Sequence, residues 1–190
     1  MDEKRIADIV AQSVALKQRF FAERAGVLLE VGRRIAERLR AGGRVLVFGN
    51  GGSAADAQHL AGELVVRFLR ERPALSALAL TTDPSVITAM ANDLGYAQVF
   101  KRQIEAHGRT GDVAIAISTS GRSPNVVEAV KAARARGLLT VALTGNGGGT
   151  LAGLVDLLVD VPHSETPRIQ EVHAMIVHIL CELIEEEASA

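Results

Sequence analysis

Arg44-Val45-Leu46-Val47-Phe48-Gly49-Asn50-Gly51-Gly52-Ser53 is the stretch that decides the fold. Residues 44–48 form a short apolar run of the kind that fills a buried parallel strand. Residues 49–53 then make a tight loop, and Ser53 stands where it can cap a helix over 54–68. Strand, tight loop, helix is the repeating unit of an α/β protein.

Upstream, Ile6, Ile9, Val10, Val14, Leu16 and Phe20 recur at helical spacing, as do Val27, Leu28, Val31, Ile35 and Leu39. They predict a helix over 4–40, ended by Gly42-Gly43. Downstream, strands are predicted over 75–80, 112–117, 139–143 and 154–161. Between and after them come helical segments across 84–108, a helix over 124–136 that Pro124 can open, and a closing helix over 167–187. This alternation describes a doubly wound, flavodoxin-like α/β domain with a five-stranded parallel sheet. Residues 1–190 read as one domain, of which 1–42 are an N-terminal helical extension. That extension carries more apolar surface than one domain obviously needs, which points to partner subunits.

At 190 residues the chain is long enough for one full core and short for two. Net charge is −1 with acids and bases interspersed, so the electrostatic footprint of a nucleic-acid binder is missing. No run approaches the roughly 18 apolar residues of a membrane helix. The charged start, Met1-Asp2-Glu3-Lys4-Arg5, argues against a signal peptide. The expectation is a soluble cytoplasmic protein with no nucleic-acid or membrane partner. Cys181, the single cysteine, lies in an apolar helical stretch and reads as a packed thiol. With no Trp and one Tyr, recognition by aromatic stacking has little to work with.

Two polar loops fall at carboxyl ends of predicted strands, where α/β proteins bind ligands. In the first, Gly49–Ser53, glycines permit close backbone approach, and amides at a helix start favour an anion. In the second, Ser118, Thr119, Ser120 and Ser123 supply four hydroxyls within six residues. Together they can surround a phosphate without a lysine, although Ser and Thr are also ordinary turn and cap residues. The first loop lacks both the Lys-Ser/Thr ending of a P-loop and the spacing of a dinucleotide fingerprint, so ATP and NAD are not expected.

Chemistry needs more than a phosphate grip, and two predicted helices supply it. His59 and Glu63 are four apart, hence on one helix face, where a carboxylate can move a proton or hold a metal; a plain surface pair would have the same spacing. Gln170 and His178 are eight apart, about 80° around a helix and about 12 Å along it, so they cannot easily meet at one point of a regular helix. Either Gln170 belongs to an irregular entrance or the two serve different sites. His173 between them reads most simply as a hydrogen-bonded packing histidine. His107 and His163 sit in loop-like contexts and are assigned no role.

Taken in order, these segments resemble the sugar isomerase (SIS) family and, within it, the phosphoheptose isomerases. The matching pieces are Gly49-Asn50-Gly51-Gly52-Ser53-Ala54-Ala55-Asp56-Ala57-Gln58-His59, Glu63, Asn92-Asp93, Ser118-Thr119-Ser120-Gly121-Arg122-Ser123, Leu143-Thr144-Gly145, Arg168-Ile169-Gln170-Glu171-Val172-His173 and His178. The likeness covers nearly the whole chain; the segment Glu165-Thr166-Pro167 varies among relatives. The resemblance implies conversion of sedoheptulose 7-phosphate to D-glycero-D-manno-heptose 7-phosphate, which feeds the heptose of surface polysaccharides. It also implies a homotetramer with active sites at subunit interfaces and a zinc cofactor.

The resemblance assigns the zinc ligands to His59, Glu63, Gln170 and His178, and residues arriving from different subunits would relieve the 12 Å separation. It assigns substrate contacts to Asn50, Gly51, Gly52, Asn92, Asp93, Ser118, Thr119, Ser120, Ser123 and Gln170, and Ser53 and Glu63 are expected to join them. Glu63 and His178 are the expected catalytic pair, exchanging protons with carbon and oxygen through an enediol. A non-catalytic relative instead binds the bacterial replication initiator as a tetrameric scaffold. It lacks the carboxylate matching Glu63 and the histidine matching His178; both are present here.

Overall fold

The structure, a computed structural model, describes residues 2–189. In chain order its main elements are α1 (Glu3–Arg40), β1 (Val45–Gly49), α2 (Gly52–Val65), β2 (Ala77–Ala79), α3 (Pro84–Leu94), α4 (Val99–His107), β3 (Val113–Ser118), α5 (Pro124–Ala135), β4 (Leu139–Gly145), β5 (Leu157–Val161) and α6 (Thr166–Ser189). The strands pair in the order β2-β1-β3-β4-β5, every neighbour parallel. Val47 is thus opposite Ala79 on one side and Ile115 on the other. This is the flavodoxin-like sheet expected from the alternation of strands and helices.

Strand residues alternate between two faces, and each face has its own core. Val45, Val47, Val113, Ile115, Ile117, Val141 and Leu143 pack with Phe20, Val31 and Ile35 of α1, Leu60 and Leu64 of α2, and Ile176 and Leu180 of α6. Leu46, Phe48, Ala114, Ala116 and Ala142 pack with Phe100 and Ile104 of α4 and Val126 and Val130 of α5. Small alanines on the second face let α5 lie close to the sheet. The early part of α1 is different: Ile6, Val10 and Val14 remain exposed although they repeat every fourth residue on one stripe. Among the described residues, no helix is long and apolar enough to cross a membrane.

Most elements match within two residues at each end, and four departures from the sequence reading have a local cause. Helix α2 starts at Gly52, with Gly51 as its N-cap at φ 57°, a left-handed value that favours glycine. Ser53 therefore lies inside the helix, buried, and does not cap it. The same helix stops at Val65, before Phe68, because the chain turns there into a segment held by α6. Strand β2 is confined to three residues at the sheet edge. Strand β5 begins at Leu157, since residues 149–153 form a 3-10 turn ahead of it.

Helix α6 is fastened at its start and along its inner face. Arg168 donates to the Ile9 carbonyl of α1 at 3.0 Å and pairs with Glu171 at 2.6 Å. His173 is fully buried and donates through Nε2 to the Thr144 carbonyl of β4 at 3.0 Å, which makes it the packing histidine expected; its Nδ1 has no partner among the described residues. Burial disfavours the charged ring and holds its pKa down at about 4, against the pull of the Thr144 carbonyl and Asp160.

In the unfolded chain this ring takes up a proton near pH 6.5, whereas the folded chain refuses it until about pH 4. The stability tied to His173 is therefore complete above pH 6.5 and is lost as pH falls toward 4, a loss on the order of 3 kcal/mol. His173→Gln keeps a donor for Thr144 but cannot titrate. Chemical denaturation at pH 7 and pH 4.5 should show the variant losing markedly less stability than the parent; equal losses would mean that the native ring is already charged.

Candidate active site

The order of the sheet changes direction between β1 and β3, so the loops that leave their carboxyl ends diverge and open a cleft. That cleft, of about 270 Å3, is lined by Asn50, Gly51, Gly52, Ser53, Ile117, Ser118, Thr119, Ser123, Thr166 and Gln170. Helices α2 and α5 both begin beside it, and neither has a side-chain cap. Ser123, the N-cap of α5, instead turns its hydroxyl to Ser118 Oγ at 3.3 Å. Two helix starts and a pair of hydroxyls make an arrangement that can receive an anion, although the Ser53 and Ala54 amides already meet the Asn50 and Gly51 carbonyls at 3.0 Å and the Val126 amide meets Asn125 Oδ1 at 3.0 Å.

Asn50 is held by two residues that the sequence reading did not single out. Its side-chain amide exchanges hydrogen bonds with that of Asn125: Asn50 Nδ2 donates at 2.9 Å, and Asn125 Nδ2 returns a bond at 2.8 Å. Tyr96, the single tyrosine, donates its hydroxyl to Asn50 Oδ1 at 3.2 Å. Asn125 is buried in the first turn of α5. A polar residue just ahead of the apolar pair Val126-Val127 was the signal that could have found it.

The second half of the site lies where α2 meets α6. His59 Nε2 is 3.2 Å from Glu63 Oε1, one helical turn on, and 3.3 Å from His178 Nε2 of α6. The two imidazoles meet edge to face with ring centroids 4.9 Å apart, and the Phe68 ring lies 5.5 Å from His178 on a shallow tilt. Glu63 Oε1 and His178 Nε2 both face the same nitrogen. A proton on His59 Nε2 satisfies this geometry, donated toward the carboxylate and the lone pair of His178. With neither His59 Nε2 nor His178 Nε2 protonated, three electron-pair donors would face one another, and a shared cation would relieve them.

Zinc suits such donors by chemistry, and ligand bonds of about 2.0–2.1 Å make the edges of its tetrahedron roughly 3.3 Å, close to both spacings. The contacts run in series through His59, however, and among the described residues no group of three His, Cys, Asp or Glu is gathered about one metal position. Gln170 is not with them. It lies in the first turns of the same unbroken helix as His178, and its side chain rests against Gly52 in the hydroxyl-lined cleft. Within one chain the four expected ligands thus divide into three and one.

Other expected residues are placed less centrally. Asn92 and Asp93 are exposed at the end of α3 and bond to each other at 2.8 Å, without lining the cleft. Ser120 is exposed at the loop tip, where its hydroxyl accepts the Arg122 amide at 3.2 Å. Asp56, one turn before His59, is half-buried; desolvation raises its pKa while His59 pulls the other way. Cys181 is a packed thiol as expected, pushed up to about 12 by burial and then by the charges of Glu63 and Glu185. His163 is engaged locally, accepting the Glu165 amide.

The pattern of the SIS domain family matches residues 10–145. A phosphoheptose isomerase from Desulfovibrio desulfuricans is 58% identical over 168 residues, which cover 88% of this chain and 80% of that protein. Among solved structures, phosphoheptose isomerase GmhA from Neisseria gonorrhoeae superposes with a TM-score of 0.92 at 43% identity, covering 97% of this chain and 98% of its own. A phosphoheptose isomerase from Francisella tularensis gives 0.94 at 36% identity, covering 98% and 100%.

Gly52 tests the cleft directly. A Cβ there would come within 2.5 Å of Gln170 Nε2, the far end of a flexible side chain, while the helical backbone at this position tolerates alanine. Gly52→Ala should therefore melt within a few degrees of the parent or slightly above it, since alanine gains about 1 kcal/mol over glycine in a helix. Displacing Gln170 should weaken binding of inorganic phosphate or a sugar phosphate about tenfold, read by calorimetry. Unchanged affinity would remove Gln170 from the ligand site.

Proposed function

The chain belongs to the SIS-domain family, among its phosphoheptose isomerases, and on that footing we propose that it interconverts sedoheptulose 7-phosphate and D-glycero-D-manno-heptose 7-phosphate. It is a sugar-phosphate isomerase of heptose biosynthesis; the particular substrate pair and the route are the proposal. The observation that carries it is the shared framing of two half-sites by two helices. Helices α2 and α6 both begin at the hydroxyl-lined cleft, and farther along they bring Glu63, His59 and His178 together. A substrate with its phosphate at one end of an open chain and its reacting carbons at the other matches that arrangement.

In this reading the cleft grips the phosphate through Ser118, Thr119, Ser123 and the amides after Gly51, with Ser53 and Gln170 lining it and Ser120 closing from the loop tip. Asn50, fixed by Asn125 and Tyr96, presents a rigid amide to the sugar. Asn92 and Asp93 meet hydroxyls of the chain from the α3 end. Phosphate binding far from the reacting carbons positions the substrate without joining the chemistry.

Isomerisation moves one proton from C1 to C2 and another from O1 to O2, with no net oxidation. The Glu63 carboxylate takes the C1 proton, and the electron pair left behind forms the C1–C2 double bond of an enediol. His178 gives a proton to O2 as that carbonyl is consumed. His178, now lacking that proton, takes the O1 proton as the new carbonyl forms, and Glu63 returns a proton to C2. His59, in contact with both groups, keeps them aligned and can pass a proton between them.

Zinc would be held by His59, Glu63 and His178 only while those groups are not moving protons, through ligation that is labile in turnover or at a mainly structural ion, and Gln170 would reach it only from another copy of the chain. When bound, the ion would supply Lewis-acid stabilisation of negative charge on the sugar oxygens. A homotetramer with sites at subunit interfaces agrees with the surface. His59 has 40% of its side chain exposed, and exposed Val65, Val66, Leu69 and Met175 lie on the same two helices and the segment after α2. The uncovered stripe of Ile6, Val10 and Val14 on α1 offers a second contact.

With sedoheptulose 7-phosphate in D₂O, NMR should show the aldose appearing with deuterium at C2. Glu63→Gln should lower kcat by about 10²–10⁴-fold while substrate affinity stays within a few-fold. Near-normal turnover in that variant would end the base assignment. No product from a zinc-supplied tetramer would move the protein to the initiator-binding scaffold class. Metal analysis should find about one zinc per site, and chelation should lower activity; a metal-free protein of full activity would remove zinc from the reading.

A further inference from the structure

Just beyond α2, the chain from Phe68 to Arg72 is bound to α6 by a buried ion pair. Arg72 Nε is 3.0 Å from Glu185 Oε1, and the two side chains are 4% and 1% exposed. The Glu185 carboxylate also accepts three successive backbone amides, from Phe68 at 2.6 Å, Leu69 at 2.9 Å and Arg70 at 3.1 Å. Burial alone would raise its pKa, but those amides and the guanidinium outweigh burial and keep it below the usual carboxylate range.

The other arms of Arg72 reach back to α2. Nη2 donates to the Glu63 carbonyl at 2.9 Å and Nη1 to the Leu64 carbonyl at 2.9 Å. The last carbonyls of a helix have no partner within it, and a cation suits that end. Arg72 therefore fixes the backbone that bears the Glu63 carboxylate. On the opposite side, Glu185 fixes the Phe68 amide, and the Phe68 ring packs on His178, seven residues before Glu185 on the same face of α6. His178 touches His59, and His59 touches Glu63. The contacts close a loop: Glu63, His59, His178, Phe68, Glu185, Arg72 and Glu63 again.

We infer that Arg72 and Glu185 are positioning residues that hold the Glu63 carboxylate and the His178 ring in register, an inference that rests on the roles proposed for those two groups. A buried ion pair contributes little stability that well-packed apolar side chains would not also supply. What this one supplies is direction: a planar guanidinium reaches two carbonyls of α2 and a carboxylate of α6 at once. A lysine cannot make those three contacts together.

The test uses the intact protein with Arg72→Lys, Phe68→Leu and the double variant. Melting temperature, kcat and KM are measured, together with the nuclear Overhauser effect between selectively labelled Phe68 and His178 rings in the parent and in Arg72→Lys. Arg72→Lys should melt within a few degrees of the parent and hold KM within about twofold. Its kcat should fall at least about tenfold, because sub-ångström misplacement of a reacting group is costly, and its ring-to-ring signal should weaken. Phe68→Leu should lower kcat about fivefold or more at unchanged KM. The double variant should be no slower than Arg72→Lys alone, as expected for members of one closed network.

A parent-like kcat and an undiminished ring signal in Arg72→Lys would overturn the inference. So would losses that multiply in the double variant, or a kcat that falls only with the folded fraction. Should Arg72→Lys fail to fold, Phe68→Leu decides alone, and unchanged kcat overturns. If the parent does not isomerise the heptulose phosphate, the proposed function fails, and the ring signal then judges the clamp by itself: weakened in Arg72→Lys it stands, undiminished it falls.

Discussion

Parallel pairing of β1 with β3 governs the rest of this molecule, because it makes β1 the strand from which the chain departs in both directions. The first crossover runs from β1 outward to β2, and the next returns past β1 to β3. Both obey the same handedness, so reversing the direction of travel reverses the face on which the connecting helix lies. Helix α2 accordingly packs with α1 and α6, while α4 and α5 cover the other side. The loops after β1 and β3 are drawn to opposite faces, and the gap between them becomes the cleft. Neither the serines nor the glycines create that gap; they furnish it.

Helix α6 converts this topology into distance. It is one uninterrupted helix from the edge of the cleft to the far end of α2, pinned at its start by Arg168 and on its inner face by His173. Gln170, His178 and Glu185 are therefore spaced by a fixed rise of 1.5 Å per residue. The three side chains meet three different parts of the molecule: the first turn of α2, the middle of α2, and the segment that follows it. A rigid rod against a second, shorter rod sets the separation between the hydroxyl-lined cleft and the cluster of Glu63, His59 and His178.

Local signals carried much of this fold in the sequence. The run 44–53 reads correctly as strand, loop and helix because each part is determined by its neighbours. The Ser53 cap failed because a left-handed Gly51 starts the helix earlier, a backbone choice that residue type alone does not settle. His59 with Glu63 was legible as an i,i+4 pair. The separation of Gln170 from His178 followed from helical rise. What was not legible depends on long-range encounters: Asn125 lies 75 residues from Asn50, Tyr96 lies 46 from it, and Glu185 lies 113 from Arg72. Their pairing exists only once the sheet has formed, and no periodicity announces it. The meeting of His178 with His59 was in the same class and was anticipated only through family resemblance.

The amide pair between Asn50 and Asn125 also bears on how the protein ages. Asn50 precedes Gly51, the dipeptide in which a backbone nitrogen most readily attacks the preceding side-chain amide and expels ammonia. Here that amide is engaged at both its nitrogen and its oxygen, and Tyr96 adds a third bond. The rotation that would bring it against the Gly51 nitrogen requires breaking all three. The contacts that hold the loop in shape are thus also its chemical preservative.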